Sequence, residues 1–278
     1  MIKEHYQDCL KYYEKFGKGE DFRTVFYSLQ FPMPYKDLTL YPVKTYNYMV
    51  FHTLAQVFFK HKYDAGLPEC MGMNHLQFLM YENPSKGIFN AQQYVPQLTL
   101  LLQMCLHWED TNEAGKERIK FVKDGKKCYI YFDDKRYDWQ DFENIKTIIC
   151  EQNCIELPDY TIHPDIRRKL EEKEKLLAKI NKNKVGSFEE LVDSLMIVSG
   201  FSEDYIHDLT IRRFTNLLRR YEIVSTYELG TLLSPNMEKK DRESILSWNS
   251  PIPKNSQFTD KVQKLSDLEN QIKKINGQ

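Results

Sequence analysis

The sequence has no bias of charge: 39 Lys and Arg stand against 40 Asp and Glu, for a formal charge of −1. That balance removes any broad electrostatic reason to expect a nucleic-acid partner and leaves only a local patch to consider. Long apolar runs are missing too. The run LTLLLQMCL at 98–106 falls far short of the roughly 20 residues that span a bilayer. The start, MIKEHYQDCLKYYEKF, is charged and aromatic and has no continuous apolar region of the kind a signal peptide carries. The expectation is a protein made and retained in cytoplasm, with no membrane insertion. Glycine and proline are scarce, at 11 each, which argues against a low-complexity or disordered chain. The six cysteines, Cys9, Cys70, Cys105, Cys128, Cys150 and Cys154, are spread along a chain too large to need disulfide staples. Cys150 and Cys154 are separated by EQN, one residue more than a redox CxxC pair, and no second pair follows.

Signatures of chemistry are equally sparse. There is no Walker loop, dinucleotide fingerprint, GxSxG elbow or HExxH. KDGKK is hairpin chemistry rather than a phosphate cradle. The histidines are mostly isolated; His52 reads as a structural residue near Tyr48 and Phe59, and His61 with Asp64 does not define a metal site. Asp133-Asp134 follows an apolar strand and either binds a cation or solvates the strand end. No catalytic, cofactor-binding or metal-binding residue is assigned, and no cofactor is expected. An enzyme assembled from distant residues stays open as an alternative, because catalytic geometry need not be local in sequence.

What is present is a globular composition, 41% hydrophobic and 28% charged, with 18 tyrosines and 16 phenylalanines able to fill a core. Tyr6, Cys9, Leu10 and Tyr13 recur at helical spacing and predict a helix ending near Gly17. The three prolines between Phe31 and Pro42 make that stretch extended or looping. Tyr48, Phe51, Leu54, Ala55 and Phe58 form one helical face, and Leu98, Leu101, Leu102, Cys105 and Leu106 another. Between them 60–90 breaks into short pieces, with Met71, Met73 and Met80 read as core filler.

In RIKFVKDGKKCYIYFDD two apolar runs meet across Asp124-Gly125, which predicts a β-hairpin. Two strands do not hold alone, so the hairpin has to pack on a helix or join another sheet edge. Asp138 is placed to cap the next helix, with Asp141 in its first turn and Trp139, Phe142, Ile145, Ile148 and Ile149 on its apolar face. A charged helix starts near Asp165, with eight basic and four acidic residues to Lys184. Ser187 and Glu190 form a capping box before Phe188, Leu191, Val192 and Leu195, with Gly200 as the stop. Ser202 and Thr210 begin two further short helices, the second with Ile211, Phe214, Leu217, Leu218 and Tyr221 as its stripe.

The predicted fold is mainly α with a small antiparallel β-hairpin, in compact helical units joined by loops. The predicted divisions are an irregular, aromatic-rich, mainly helical domain at 1–115, the hairpin at 116–135 and a helical domain at 136–235. A linker at 236–259 and an amphipathic C-terminal helix at 260–278 follow. In that last helix Leu265, Leu268, Ile272 and Ile275 form a short heptad-like seam, the candidate protein contact, which docks on a partner or subunit, folds back on its own domain or frays. Arg167 and Arg168, with Arg212, Arg213, Arg219 and Arg220, are the candidate polyanion contacts.

The order of elements from 128 to 235 is more distinctive than any one motif: CYIYFDDKRYDWQDFENIKTIICEQNCIEL, then HPDIRRKLEEKEKL, then FSEDYIHDLTIRRFTNLLRRYE. It resembles tailed-phage proteins of the tail, baseplate or tail-assembly class, in which an aromatic-rich hairpin precedes a charged helical segment and a short arginine-containing helical domain. Where the related pattern prefers glycine after QN, this chain has Cys154. The resemblance implies a non-enzymatic protein of the host cytoplasm, incorporated into a virion tail or baseplate or acting in its assembly. Its partners would be phage structural proteins or further copies of itself. No catalytic residue set comes with that class. A nucleic-acid-associated protein using the basic helical faces is the alternative.

Overall fold

The computed structural model of the protein describes residues 2–16, 20–62, 67–108, 118–157, 186–236 and 247–252, with Lys169, Glu172 and Ile245. Asp64, Arg167, Arg168, the rest of the charged stretch 165–184, and the seam Leu265, Leu268, Ile272 and Ile275 lie outside these residues. The described chain is mainly helical, with small antiparallel sheets of two and three strands. It forms two compact units, Met1–Ile155 with Val192–Leu218, and Glu156–Leu191 with Arg219–Gln278.

The first unit begins with α1 (Ile2–Phe16) and α2 (Glu20–Ser28). Tyr6, Tyr13 and Phe22 set their rings around the fully buried Phe26, at centroid distances of 6.4, 5.6 and 6.2 Å. Such tilted and edge-on pairs add to the burial of the rings themselves. The proline-bearing stretch is extended and pairs as a hairpin, β1 (Met33–Tyr35) with β2 (Leu38–Leu40). In α3 (Tyr48–Ala55) and α5 (Asn90–Leu106) the predicted stripes point inward: Phe51, Ala55, Leu98, Leu101, Leu102 and Cys105 are all essentially sealed from solvent. The 60–90 region holds α4 (His75–Leu79), started by a capping box between Asn74 and Gln77, and the short pair β3 (Glu82–Asn83) and β4 (Ile88–Phe89). Of its methionines Met80 is core and Met71 is exposed, so core filler describes only part of that set.

The hairpin predicted around Gly125 is β5 (Ile119–Asp124) and β6 (Lys127–Phe132). Its turn residues are Gly125 and Lys126 rather than Asp124 and Gly125. Only Gly125 takes a positive φ, +58°, which is the pattern of a turn with glycine at its first central position. A third strand, β7 (Lys135–Tyr137), pairs with β6 and supplies the support that two strands lack. Ile119, Cys128, Ile130, Phe132 and Tyr137 form the buried face of this sheet.

The helix α6 (Trp139–Gln152) follows at once because Asp138 accepts from the amides of Gln140 and Asp141, while Asp141 reaches back to the Asp138 amide. Asp141 also accepts from Tyr35 Oη at 2.7 Å and Lys36 Nζ at 2.5 Å, tying the β1–β2 turn to this helix start. Phe142, Ile145, Ile148 and Ile149 are buried, but Trp139 is 44% exposed. At 100° per residue it sits about a third of a turn from the centre of the buried face, and this corrects its place in the stripe.

Helix α6 ends in a six-residue reverse loop: the Ile155 amide donates to the Cys150 carbonyl at 2.9 Å, with Cys154 between them at φ +54°. This is the position and dihedral that glycine normally fills. An L-residue there costs about 1–2 kcal/mol, partly offset by the greater freedom glycine has when unfolded. Cys154→Gly is therefore expected to stabilise the fold by about 0.5–1 kcal/mol, read as a higher midpoint in urea; a lower midpoint would mean that the Cys154 side chain matters more than its backbone.

The capping signals further along are realised in α7 (Phe188–Ser199), α8 (Glu203–Asp208) and α9 (Ile211–Leu233). Ser187 and Glu190 exchange their bonds at 2.5 and 3.3 Å, Gly200 stops α7 at φ +69°, and Ser202 caps α8. Helix α9 is not short: it continues past Ile223 to Leu233, and Tyr221 is exposed rather than part of the buried stripe. Its start is sewn to the end of the first hairpin, where Thr45 N–H donates to the Leu209 carbonyl and Ile211 N–H to that of Val43, at 2.8 and 2.9 Å. In the second unit Arg219 pairs with Glu156 at 3.7 Å, and Arg220 Nη1 donates to the Trp248 and Ser250 carbonyls. A Cβ at Gly230 would meet the Ile245 side chain at 3.0–3.1 Å, so that side chain would have to give by a few tenths of an ångström.

Candidate functional site

The candidate polyanion contacts that fall within the described residues, Arg212, Arg213, Arg219 and Arg220, all lie on α9. Arg212 Nη1 donates to the Glu151 carbonyl at 2.7 Å, and its guanidinium lies over the Tyr27 ring at 5.4 Å. Arg219 and Arg220 are held by the ion pair and the carbonyl bonds already described. Arg213 is the exposed member of the group. Each of these contacts takes up only part of a guanidinium's five donors.

A buried polar cluster joins α4 to α6. His75 Nε2 is 2.8 Å from the Lys60 carbonyl, which can only accept, so Nε2 carries the proton and Nδ1 is the bare nitrogen. Lys146 Nζ, in a residue 7% exposed, donates to that Nδ1 at 3.1 Å and pairs with Glu143 Oε2 at 2.5 Å. Burial, and then the Lys146 ammonium, hold His75 down to about 3, so the ring is neutral across the physiological range. With both nitrogens engaged and the side chain only 5% exposed, this histidine holds structure and offers no free base. Among the described residues no group of three or more His, Cys, Asp and Glu is placed to hold a metal ion.

A cleft of about 510 Å³ lies between the β1–β2 turn, the end of α5 and the β6–β7 turn. Four of the five charged side chains that line it pair with one another: Arg118 grips Asp133 through Nε at 2.8 Å and Nη2 at 3.0 Å, and Lys135 pairs with Asp37 at 2.9 Å. The Arg118 guanidinium also lies 3.6 Å from the Trp108 ring centre. Of the two aspartates that end β6, Asp133 is thus taken up by Arg118.

The surface least explained by internal structure is apolar and surrounds the α7–α8 corner. Ile197 is 83% exposed and Tyr205 51%, with Val198 and Phe201 also open to solvent. Gly200, whose amide bonds the Met196 carbonyl at 2.9 Å, turns the chain so that Phe201 and Tyr205 meet at 4.7 Å between ring centres. The inward positions Val192 and Leu195 are filled in the expected register, so the outward apolar residues are surplus to the core. Tyr46, Met49 and Val50, at helical spacing on the 3-10 turn and α3, are exposed as well, and that 3-10 turn packs against α8. In the second unit Leu229, Leu232 and Leu233 are exposed along the last turns of α9. Sequence reasoning missed the corner, although MIV at 196–198 gave the signal: three consecutive apolar residues where an amphipathic helix needs polar ones.

Among the described residues no helix is long and apolar enough to cross a membrane. No family model, curated protein or solved structure matches this chain.

Proposed function

We propose that this protein is a non-catalytic component of a phage tail or baseplate, or of the machinery that assembles one, and that it acts by binding protein partners. The observation that carries the reading is the exposed apolar corner of Ile197, Val198, Phe201 and Tyr205. Contiguous apolar surface with aromatic members is what a protein partner covers, and aromatic side chains lead the energetics of such contacts. The element order from the three-stranded sheet to α9 supports the phage-module part of the reading. So does the backbone of Cys154, which takes the glycine conformation where the resembled pattern has glycine.

The test is co-expression with the genomic neighbours, native purification and mass measurement of the intact complex. Ile197→Lys with Tyr205→Glu places each new charge at the helix end that favours it. Both sites are exposed, so the melting transition should move by no more than about 0.5 kcal/mol. Partner affinity should fall roughly tenfold or more, the scale of a lost contact centre. Unchanged complex mass and partner retention in the double variant would refute the corner as the docking surface.

A further inference from the structure

We infer that β5 is a self-pairing edge, through which two copies of this chain join their three-stranded sheets into one six-stranded antiparallel sheet. The sheet order is β5–β6–β7, so β5 stands at its rim. Asp124 and Lys127 flank the two-residue turn and form the last hydrogen-bonded pair of the hairpin. Alternation along β5 then turns the N–H and C=O groups of Lys120, Val122 and Asp124 toward β6, and those of Ile119, Phe121 and Lys123 outward. Among the described residues no backbone bond reaches that outer row. An edge of this kind is a template for another strand.

The side chains choose the partner. Lys120, Val122 and Asp124 share the solvent face, and Val122 is 40% exposed. With a two-fold axis at Val122, antiparallel pairing sets Val122 against Val122 of the second copy. Phe121 then faces Lys123, so their outward groups bond both ways, and Lys120 faces Asp124 on either side of the axis. Lysines on an edge strand ordinarily repel a like edge. Here the symmetry converts that repulsion into two opposite-charge pairs flanking an apolar one, the arrangement that stabilises cross-strand neighbours. The contact is isologous and closes at two copies, because each β5 has one edge left unpaired among the described residues. It involves none of the residues at the α7–α8 corner.

The test is sedimentation of the full chain over a range of concentrations. The expected result is a monomer–dimer equilibrium that Lys120→Glu weakens about tenfold or more, by turning two attractive pairs repulsive. The exchange of both charges, Lys120→Asp with Asp124→Lys, restores it. Val122→Cys should oxidise to a covalent dimer whose 122–122 linkage is seen in peptide masses, since directly opposed non-hydrogen-bonded residues lie within disulfide reach. Circular dichroism of each variant keeps a folding defect from being read as lost pairing. A chain that stays monomeric at every concentration, or a dimer that ignores Lys120→Glu and gives no 122–122 linkage, overturns the inference. Ile197→Lys with Tyr205→Glu should leave this dimer intact, so its failure and that of the partner-docking reading can be told apart.

Discussion

Acidification from pH 7 to pH 5 is expected to remove about 2 kcal/mol of stability through His75 alone. The ring is held down to about 3, first by burial and then by the Lys146 ammonium at 3.1 Å, against an ordinary value near 6.5 in the unfolded chain. Between those two values the unfolded state binds the proton and the folded state refuses it. The stability that the neutral ring contributes is therefore complete above about pH 6.5 and drains away as pH falls toward 3, at up to about 1.4 kcal/mol per pH unit. The groups facing the ring are Lys146 and Glu143 from α6, the Lys60 carbonyl, and the His61 ring at 6.3 Å. Urea midpoints at pH 7, 6 and 5 measure the slope. In Lys146→Met the nearest positive charge is gone and Glu143 Oε1 remains 3.8 Å from Nδ1, so the slope should flatten. An equally steep acid limb in that variant would assign the lability to other groups.

How this cluster forms shows what was legible in the sequence and what was not. Periodicity placed the buried faces of α3, α5, α6 and α7, because a helix hides one residue in every three or four whatever it packs against. Capping placed the starts at Asp138, Ser187 and Ser202, since the rule joins residues three apart. The pairing of Lys146 with His75 spans 71 positions, and a lysine on an otherwise apolar face reads as a boundary residue until its partner is known. The same holds for Asp141, whose bonds to Tyr35 and Lys36 depend on where the first hairpin lies. The arginines of α9 were visible as a cluster, but their use as internal ties was not: the Glu151 carbonyl that receives Arg212 belongs to a helix 61 residues earlier. Trp139 and Ile197 mark the converse case, large apolar residues that lie off the buried line and reach the surface.

The strongest dependence on one polar side chain is expected at Asn153. It is 1% exposed, at the end of α6 where the first hairpin and the start of α9 converge. Its Oδ1 accepts the Val43 amide at 2.9 Å and its Nδ2 donates to the Ile149 carbonyl at 2.8 Å. The neighbouring Gln152 donates to the Leu40 carbonyl at 3.0 Å, so the two amides clamp both ends of the segment that leads from β2 toward Thr45. In Asn153→Ala the Val43 amide loses its acceptor in a place water does not reach, and the full desolvation penalty of that donor appears. With the second bond lost and a small void left, the expected cost is about 2–4 kcal/mol, read from urea or thermal unfolding. Asn153→Asp separates the two bonds. A carboxylate still accepts from Val43 but meets the Ile149 carbonyl lone pair to lone pair, so it should be at least as destabilising at pH 7 and recover in part on acidification, when protonation restores a donor. That recovery runs against the His75 slope, and the difference in slope between Lys146→Met with and without Asn153→Asp isolates it. A cost below about 1 kcal/mol for Asn153→Ala would mean that the Val43 amide finds another acceptor and that the corner closes without the side-chain clamp.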